Sequence, residues 1–224
     1  MKKGKYRKKK MRTKKLLFVS SLILFLMVLY GIIYSCREES GADFGIFNPM
    51  FPTKKVGNVE VTEMYLTPNK YSRPQKPLKK VKGVVVHYTA NPGSSAENNR
   101  NYFEGLKDSQ ETYASSHFII GLDGEIIQCI PLDEISYASN DRNKDTISIE
   151  CCHKKKSGEF TEATYRSLVR LLAWLCGEYN LKKNDIIRHY DITGKMCPKY
   201  YVDHEDKWIE LKEDVVGYVK EFGQ

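Results

Sequence analysis

Acidic residues are absent from the first fifteen positions, which carry ten Lys or Arg. The whole chain has 36 basic and 28 acidic residues, and its formal charge of +8 resembles that of a nucleic-acid binder. Taking those ten from 36 leaves 26 basic against 28 acidic residues. The remainder has no basic excess to spread over a folded face, which weakens a nucleic-acid reading, and no nucleic-acid partner is expected. Internal repeats are also lacking, so nothing suggests a solenoid. The six cysteines, Cys36, Cys129, Cys151, Cys152, Cys176 and Cys197, offer no spacing that closes a four-ligand structural zinc site. No disulfide is predicted, and the neighbours Cys151 and Cys152 should point to opposite faces of a strand.

Charge disappears altogether over Leu16–Cys36, a run of 21 residues. About 20 apolar residues span a bilayer. A secretory signal has a shorter core and a small-residue cleavage site, which Tyr34-Ser35-Cys36 does not supply. Residues 16–36 therefore read as an uncleaved transmembrane anchor, with Cys36 acylation as the alternative. The basic residues 1–15 stay in the cytoplasm by the positive-inside rule, and the C-terminal part lies outside, at the cell membrane. Residues 37–58 read as a linker, punctuated by Gly, Pro and Asn. Residues 59–224 are long enough for one domain, expected to act as a monomer.

What is present concentrates in Ile186–Pro198. Ile186 and Ile187 read as a short buried strand ending at His189. Asp191-Ile192-Thr193-Gly194 reads as a turn, and Pro198 interrupts regular structure after Cys197. Such a loop can return Cys197 to His189, and an imidazole with a thiolate makes a good zinc pair. His87, at the end of the β-branched run Gly83–Val86, is the candidate third ligand. Two histidines and one cysteine leave one position open, the pattern of a catalytic rather than a structural zinc. A core histidine and a buried free cysteine are the alternative reading of each residue alone.

Four separated stretches carry a resemblance: VVVHYTA (84–90), SSHFIIGLDGEIIQCIPLDE (115–134), ISIE (147–150) and RHYDITGKMCP (188–198). In this order they resemble the zinc-dependent N-acetylmuramoyl-L-alanine amidases, the superfamily that includes peptidoglycan recognition proteins. The resemblance runs from about Val59 to the C-terminus. It implies a peptidoglycan substrate and Zn2+ held by His87, His189 and Cys197. It implies that Glu150 handles the attacking water's proton and that Lys195 supports the developing oxyanion. It also places His117, Tyr137 and Asn140 along the substrate groove. Some members carry a tyrosine just before the position of His117; here it is Ser116, which points to the glutamate–lysine variant. The scissile amide, between N-acetylmuramic acid and L-alanine, follows from the resemblance alone. A non-catalytic peptidoglycan receptor on the same fold is the rival, but such proteins typically lose the cysteine.

The rest of the chain supplies a scaffold. Val59–Lys80, with Pro68, Pro74 and Pro77, reads as mostly irregular. Ser94-Ser95-Ala96-Glu97 has the capping-box form of a helix start, continued by Ala96, Asn99, Tyr102, Phe103 and Leu106. Apolar runs on either side of Asp123-Gly124 predict a hairpin. Thr146–Cys151 alternates as a strand, with Ser148 and Glu150 on one face. Lys195 is a candidate salt-bridge partner for Glu150. His153, in a lysine-rich loop, is expected to be solvated. Thr161 caps a predicted helix to Tyr179, and a last helix runs from Glu205 to Phe222 with Trp208, Leu211, Val215, Tyr218, Val219 and Phe222 inward. The order of elements predicts an α/β fold: a single catalytic domain with a mixed central β-sheet flanked by helices, preceded by one N-terminal transmembrane helix.

Overall fold

The computed structural model describes residues 53–56, by their backbone, and 59–222. The basic tail, the proposed anchor and most of the linker lie outside the described residues. Among those described, no helix is long and apolar enough to cross a membrane.

In chain order the strands are β1 (Thr53–Val56), β2 (Val59–Glu63), β3 (Gly83–Tyr88), β4 (Phe118–Ile120), β5 (Ile126–Gln128), β6 (Thr146–Cys151) and β7 (Ile186–Arg188). The helices are α1 (Ala96–Ser109), α2 (Glu162–Tyr179), α3 (His189–Thr193), α4 (Lys199–Asp203) and α5 (Glu205–Phe222). The strands form one mixed sheet in the order β1-β2-β5-β4-β6-β3-β7. The β4–β6–β3–β7 half is parallel, whereas β1/β2 and β4/β5 are antiparallel. This is the expected fold class.

Strand alternation sorts the core into two layers. Val84, Val86, Ile147, Ile149 and Cys151 join the layer containing Leu168, Leu172, Trp208 and Leu211 of α2 and α5. Ile119, Ile127 and Cys152 face the other way, with Phe103 and Leu106 of α1. Cys151 and Cys152 thus lie in opposite layers, and all five described cysteines are free. The side chains of β6 on the α1 side include Ser148 and Glu150, so the second face is only partly apolar.

Local chemistry sets the boundaries. Ser95 Oγ caps α1 by accepting the Asn98 N–H at 3.1 Å, one residue later than the Ser94-based box predicts. Thr161 caps α2 through the Thr164 N–H, and Asn180 ends it in the left-handed conformation. Gly124, with φ 89°, turns the β4–β5 hairpin; a Cβ there would lie 2.9 Å from the Ala163 carbonyl oxygen.

Several expectations are corrected. Thr53–Val56 is not linker but pairs with β2, and Val59–Glu63 is a strand rather than irregular chain. Its buried Val59 and Val61 alternate with exposed Glu60, a period-2 signal masked by the prolines that follow. The Asp191–Gly194 turn is the end of the one-turn helix α3, closed by Gly194 at φ 76°. Pro198 does not end structure: it precedes α4, where its missing N–H costs nothing. Tyr102, Val219 and Phe222 are exposed, so the helix stripes are narrower than expected.

The two-layer packing predicts a contrast. Leu172→Ala, at a fully buried site of α2, should cost about 2–5 kcal/mol. Val219→Ala, 37 % exposed on α5, should change stability by less than about 0.5 kcal/mol. Urea denaturation of both variants checks this; equal losses would contradict the packing.

Candidate active site

Register aligns the reactive groups. On adjacent parallel strands, His87 of β3 pairs with Glu150 of β6. Val86 pairs with Arg188 of β7, so His189 follows beside His87. Cys197 returns to this edge because the Tyr190 N–H donates to its carbonyl at 2.9 Å. Its Sγ lies 3.7 Å from His87 Nδ1. The ligand atoms of His87, His189 and Cys197 all lie within 4.8 Å of one another. That is near the roughly 3–4 Å separating donors around one tetrahedral zinc. The donor set, two imidazoles and a sulfur, fits such an ion.

The outer nitrogens are held by the chain. His87 Nε2 lies 3.2 Å from Ser139 Oγ, and His189 Nε2 donates to Asn140 Oδ1 at 3.0 Å. Each contact fixes a ring and leaves Nδ1 for a ligand, as metal-binding histidines require. The two rings meet edge to face at 4.8 Å. Both histidines are held below the ordinary imidazole pKa, His87 by burial and by the charges of His189 and Lys195, His189 by burial and Lys195. Both shifts favour the neutral imidazole, the form that binds metal.

Glu150 Oε2 is buried and has no hydrogen-bond partner. Burial pushes its carboxyl up to about 8, against the opposing pull of Lys195. The expected Glu150–Lys195 salt bridge is not formed. Lys195 is exposed, yet near enough for its charge to act on Glu150, both histidines and Cys197. Burial, with the Glu150 charge, raises the Cys197 thiol to about 12, while the Tyr88 N–H and Lys195 oppose this.

The family model described as N-acetylmuramoyl-L-alanine amidase matches residues 77–200, over half of the chain. This chain belongs to the N-acetylmuramoyl-L-alanine amidase family. It is 38% identical over 156 residues to a probable N-acetylmuramoyl-L-alanine amidase of Bacillus licheniformis, covering 64% of this chain and 44% of that one. It is 35% identical over 170 residues to the amidase CwlL of the same species, covering 70% and 47%. The chain thus spans less than half the length of these curated relatives. Among solved structures it resembles the catalytic domain of XlyA, with a TM-score of 0.59 at 26% identity, covering 70% of this chain and 99% of that domain. PlyL is similar, with a TM-score of 0.58 at 27% identity, covering 68% and 94%.

Within this family member, the sequence-predicted residues divide. His87, His189, Cys197, Glu150 and Lys195 come together. Asn140 lies beside them, but the contact the structure gives it is with His189. Tyr137 is half-buried in the same loop. His117 is fully buried and both its ring nitrogens are engaged within the fold. Its Nδ1 accepts the Ser148 N–H at 3.0 Å and its Nε2 donates to the Glu134 carbonyl at 2.9 Å. The two bonds pin the 133–140 loop, which Arg73 also grips through Glu134 at 2.8 Å. His153 is likewise buried, not solvated, and stacks on Tyr88 at 5.1 Å. Ser139 was missed: it lies in the Tyr137–Asn140 run already noted, but nothing in that run marks which hydroxyl meets a ring. Arg188 was also missed. Its guanidinium is buried on Asp191, the Tyr201 carbonyl and Glu205, and it stacks on Trp208, tying β7 to the following helices.

His117 generates a pH prediction. Burial lowers its pKa from 6.5 to about 4. A folded pKa below the unfolded one means that this group's contribution is complete above pH 6.5 and is lost as pH falls toward 4. The full loss is up to about 3 kcal/mol. Denaturant titrations from pH 7 to 4 should show a shallower acid loss in His117→Gln, which begins less stable at pH 7. Parallel curves would show that His117 is not the group responsible.

Proposed function

We propose that this chain is a zinc-dependent N-acetylmuramoyl-L-alanine amidase that cleaves the amide between N-acetylmuramic acid and L-alanine in peptidoglycan. One observation carries the reading: His87, His189 and Cys197 converge at the strand edge where Glu150 is the register partner of His87. Family membership and the names of the relatives support the substrate.

His87 and His189 through Nδ1, and Cys197 through Sγ, would hold the metal. Zinc, when bound, supplies Lewis-acid chemistry that polarises a carbonyl and acidifies water. Glu150 takes the attacking water's proton on its carboxylate and returns it to the leaving amine nitrogen. Lys195, on the loop that carries Cys197, faces the developing oxyanion with a positive charge. Ser139 and Asn140 keep the two imidazoles in place. The receptor reading of the same fold is disfavoured by the presence of Cys197, Glu150 and Lys195 together.

We also place the enzyme at the outer face of the cell membrane, anchored through residues 16–36, as a monomer that remodels the wall. The 21 uncharged residues behind ten basic ones support that placement.

The test is a mass-resolved digest of wall fragments by the full chain loaded with zinc. New L-alanine amino termini beside intact glycan, lost on chelation, are expected; binding without cleavage would refute the amidase. Glu150→Gln should retain zinc and lose about 10²–10⁴-fold in rate. Cys197→Ser should lose zinc itself, read by metal analysis. Full activity in Glu150→Gln would remove that residue from the reaction.

A further inference from the structure

The loop that carries Ser139 and Asn140 also joins an aromatic surface that the chemistry above does not use. Tyr71 and Tyr113 stand 5.1 Å apart with their planes 34° from parallel. Tyr113 meets Tyr137 edge to face at 5.6 Å. Tyr113 is 48 % exposed, and Tyr71 and Tyr137 are half-buried. Lys70 is exposed, and its ammonium lies 5.6 Å from the centre of the Tyr71 ring and 5.9 Å from that of Tyr113.

Three chain segments build this surface, and backbone bonds lock them together. The Ala114 N–H donates to the Tyr71 carbonyl, and the Ser115 N–H to the Tyr137 carbonyl. Ser115 Oγ in turn accepts the Tyr137 N–H at 3.0 Å. Tyr137 lies two residues before Ser139 and three before Asn140, which hold the ligand histidines. The shelf is therefore continuous with the reaction centre through one short loop.

We propose that Lys70, Tyr71, Tyr113 and Tyr137 form a carbohydrate subsite that holds a pyranose ring of the glycan strand next to the scissile amide. This rests on the amidase reading, and it assigns the glycan, rather than the stem peptide, to this side of the centre. A β-linked amino sugar presents a flat face of axial C–H bonds. Those hydrogens carry partial positive charge and stack on the negative faces of aromatic rings. The Tyr71 and Tyr113 rings, 34° from parallel, offer the stacking faces, and Tyr137 stands edge-on to Tyr113 at their side. The sugar's hydroxyl and acetamido oxygens accept hydrogen bonds, and Lys70 is a donor at the rim of the stack. A stem peptide offers no comparable flat face.

The test separates binding from catalysis. The full chain is titrated with a peptide-free N-acetylglucosamine tetramer and, separately, with a glycan-free L-Ala-D-Glu stem peptide, each followed by calorimetry. The wild type should bind the tetramer. Tyr113→Ala and Lys70→Ala should each weaken it, Tyr113→Ala by about five- to tenfold, the worth of one aromatic contact. Peptide affinity, zinc content and melting temperature should be unchanged in Lys70→Ala, whose side chain is exposed and cannot fail through the core. A wild type that ignores the tetramer, or variants that lose the peptide instead, would overturn the subsite. Failure of the amidase reading would appear separately, as intact wall fragments in the digest, with tetramer binding retained.

Discussion

The parallel register of β6, β3 and β7 is the constraint on which the rest depends. His87 stands opposite Glu150, and Val86 opposite Arg188, so that carboxylate, first histidine and second histidine occupy neighbouring strand ends. A one-residue slip of β3 would turn His87 into the helix-covered layer. That slip is opposed by Val84 and Val86, which would have to leave that layer. Hydrophobic burial on one face thus fixes the chemistry on the other. The reactive groups gather at the carboxyl ends of parallel strands, where open α/β sheets commonly bind ligands.

The two faces divide the labour. Long helices α2 and α5 cover one side completely with aliphatic and aromatic contacts. The other side shares its space between the apolar patch under α1 and a buried polar network. Ser148 Oγ is the hub of that network, 2.7 Å from Ser136 Oγ and 3.2 Å from Ser116 Oγ. Buried hydroxyls are tolerated because each finds a partner. The network terminates in His117, whose two ring nitrogens join β6 to the loop carrying Ser139 and Asn140. A rigid loop there matters, because a ligand histidine is only as well placed as the group on its outer nitrogen. Arg188 does the same on the opposite flank. Its buried charge is offset by Asp191 and Glu205, so removing either acid would leave a guanidinium short of partners.

Much of this was legible because it is local or periodic. The period-2 runs Val84–Val86 and Ile147–Ile149, the Asp123-Gly124 turn, the Thr161 cap and the Glu205–Phe222 helix are all encoded within a few residues of themselves. β1 and β2 were not: the Val59–Val61 alternation is short and runs into a proline-rich stretch, and the edge strand β1 gains its order from pairing with β2. His153 was misjudged for a related reason: the lysines beside it are solvated, while its own ring is buried against Tyr88, a neighbour brought by the sheet.

By itself the sequence determined which groups are available: two imidazoles, a thiol, a carboxylate and an ammonium, each at the end of a recognisable strand or loop. Tertiary structure alone decided what each one does. Cys197 meets His87 across 110 residues, Ser139 meets it across 52, and Asn140 meets His189 across 49. His117 and His87 both close or border β-rich segments in a single-letter reading. They differ because one ring has both nitrogens engaged within the fold, whereas the other keeps Nδ1 toward a thiol. A ring nitrogen's role is set by the atom that faces it, and that atom arrives only when distant segments pack.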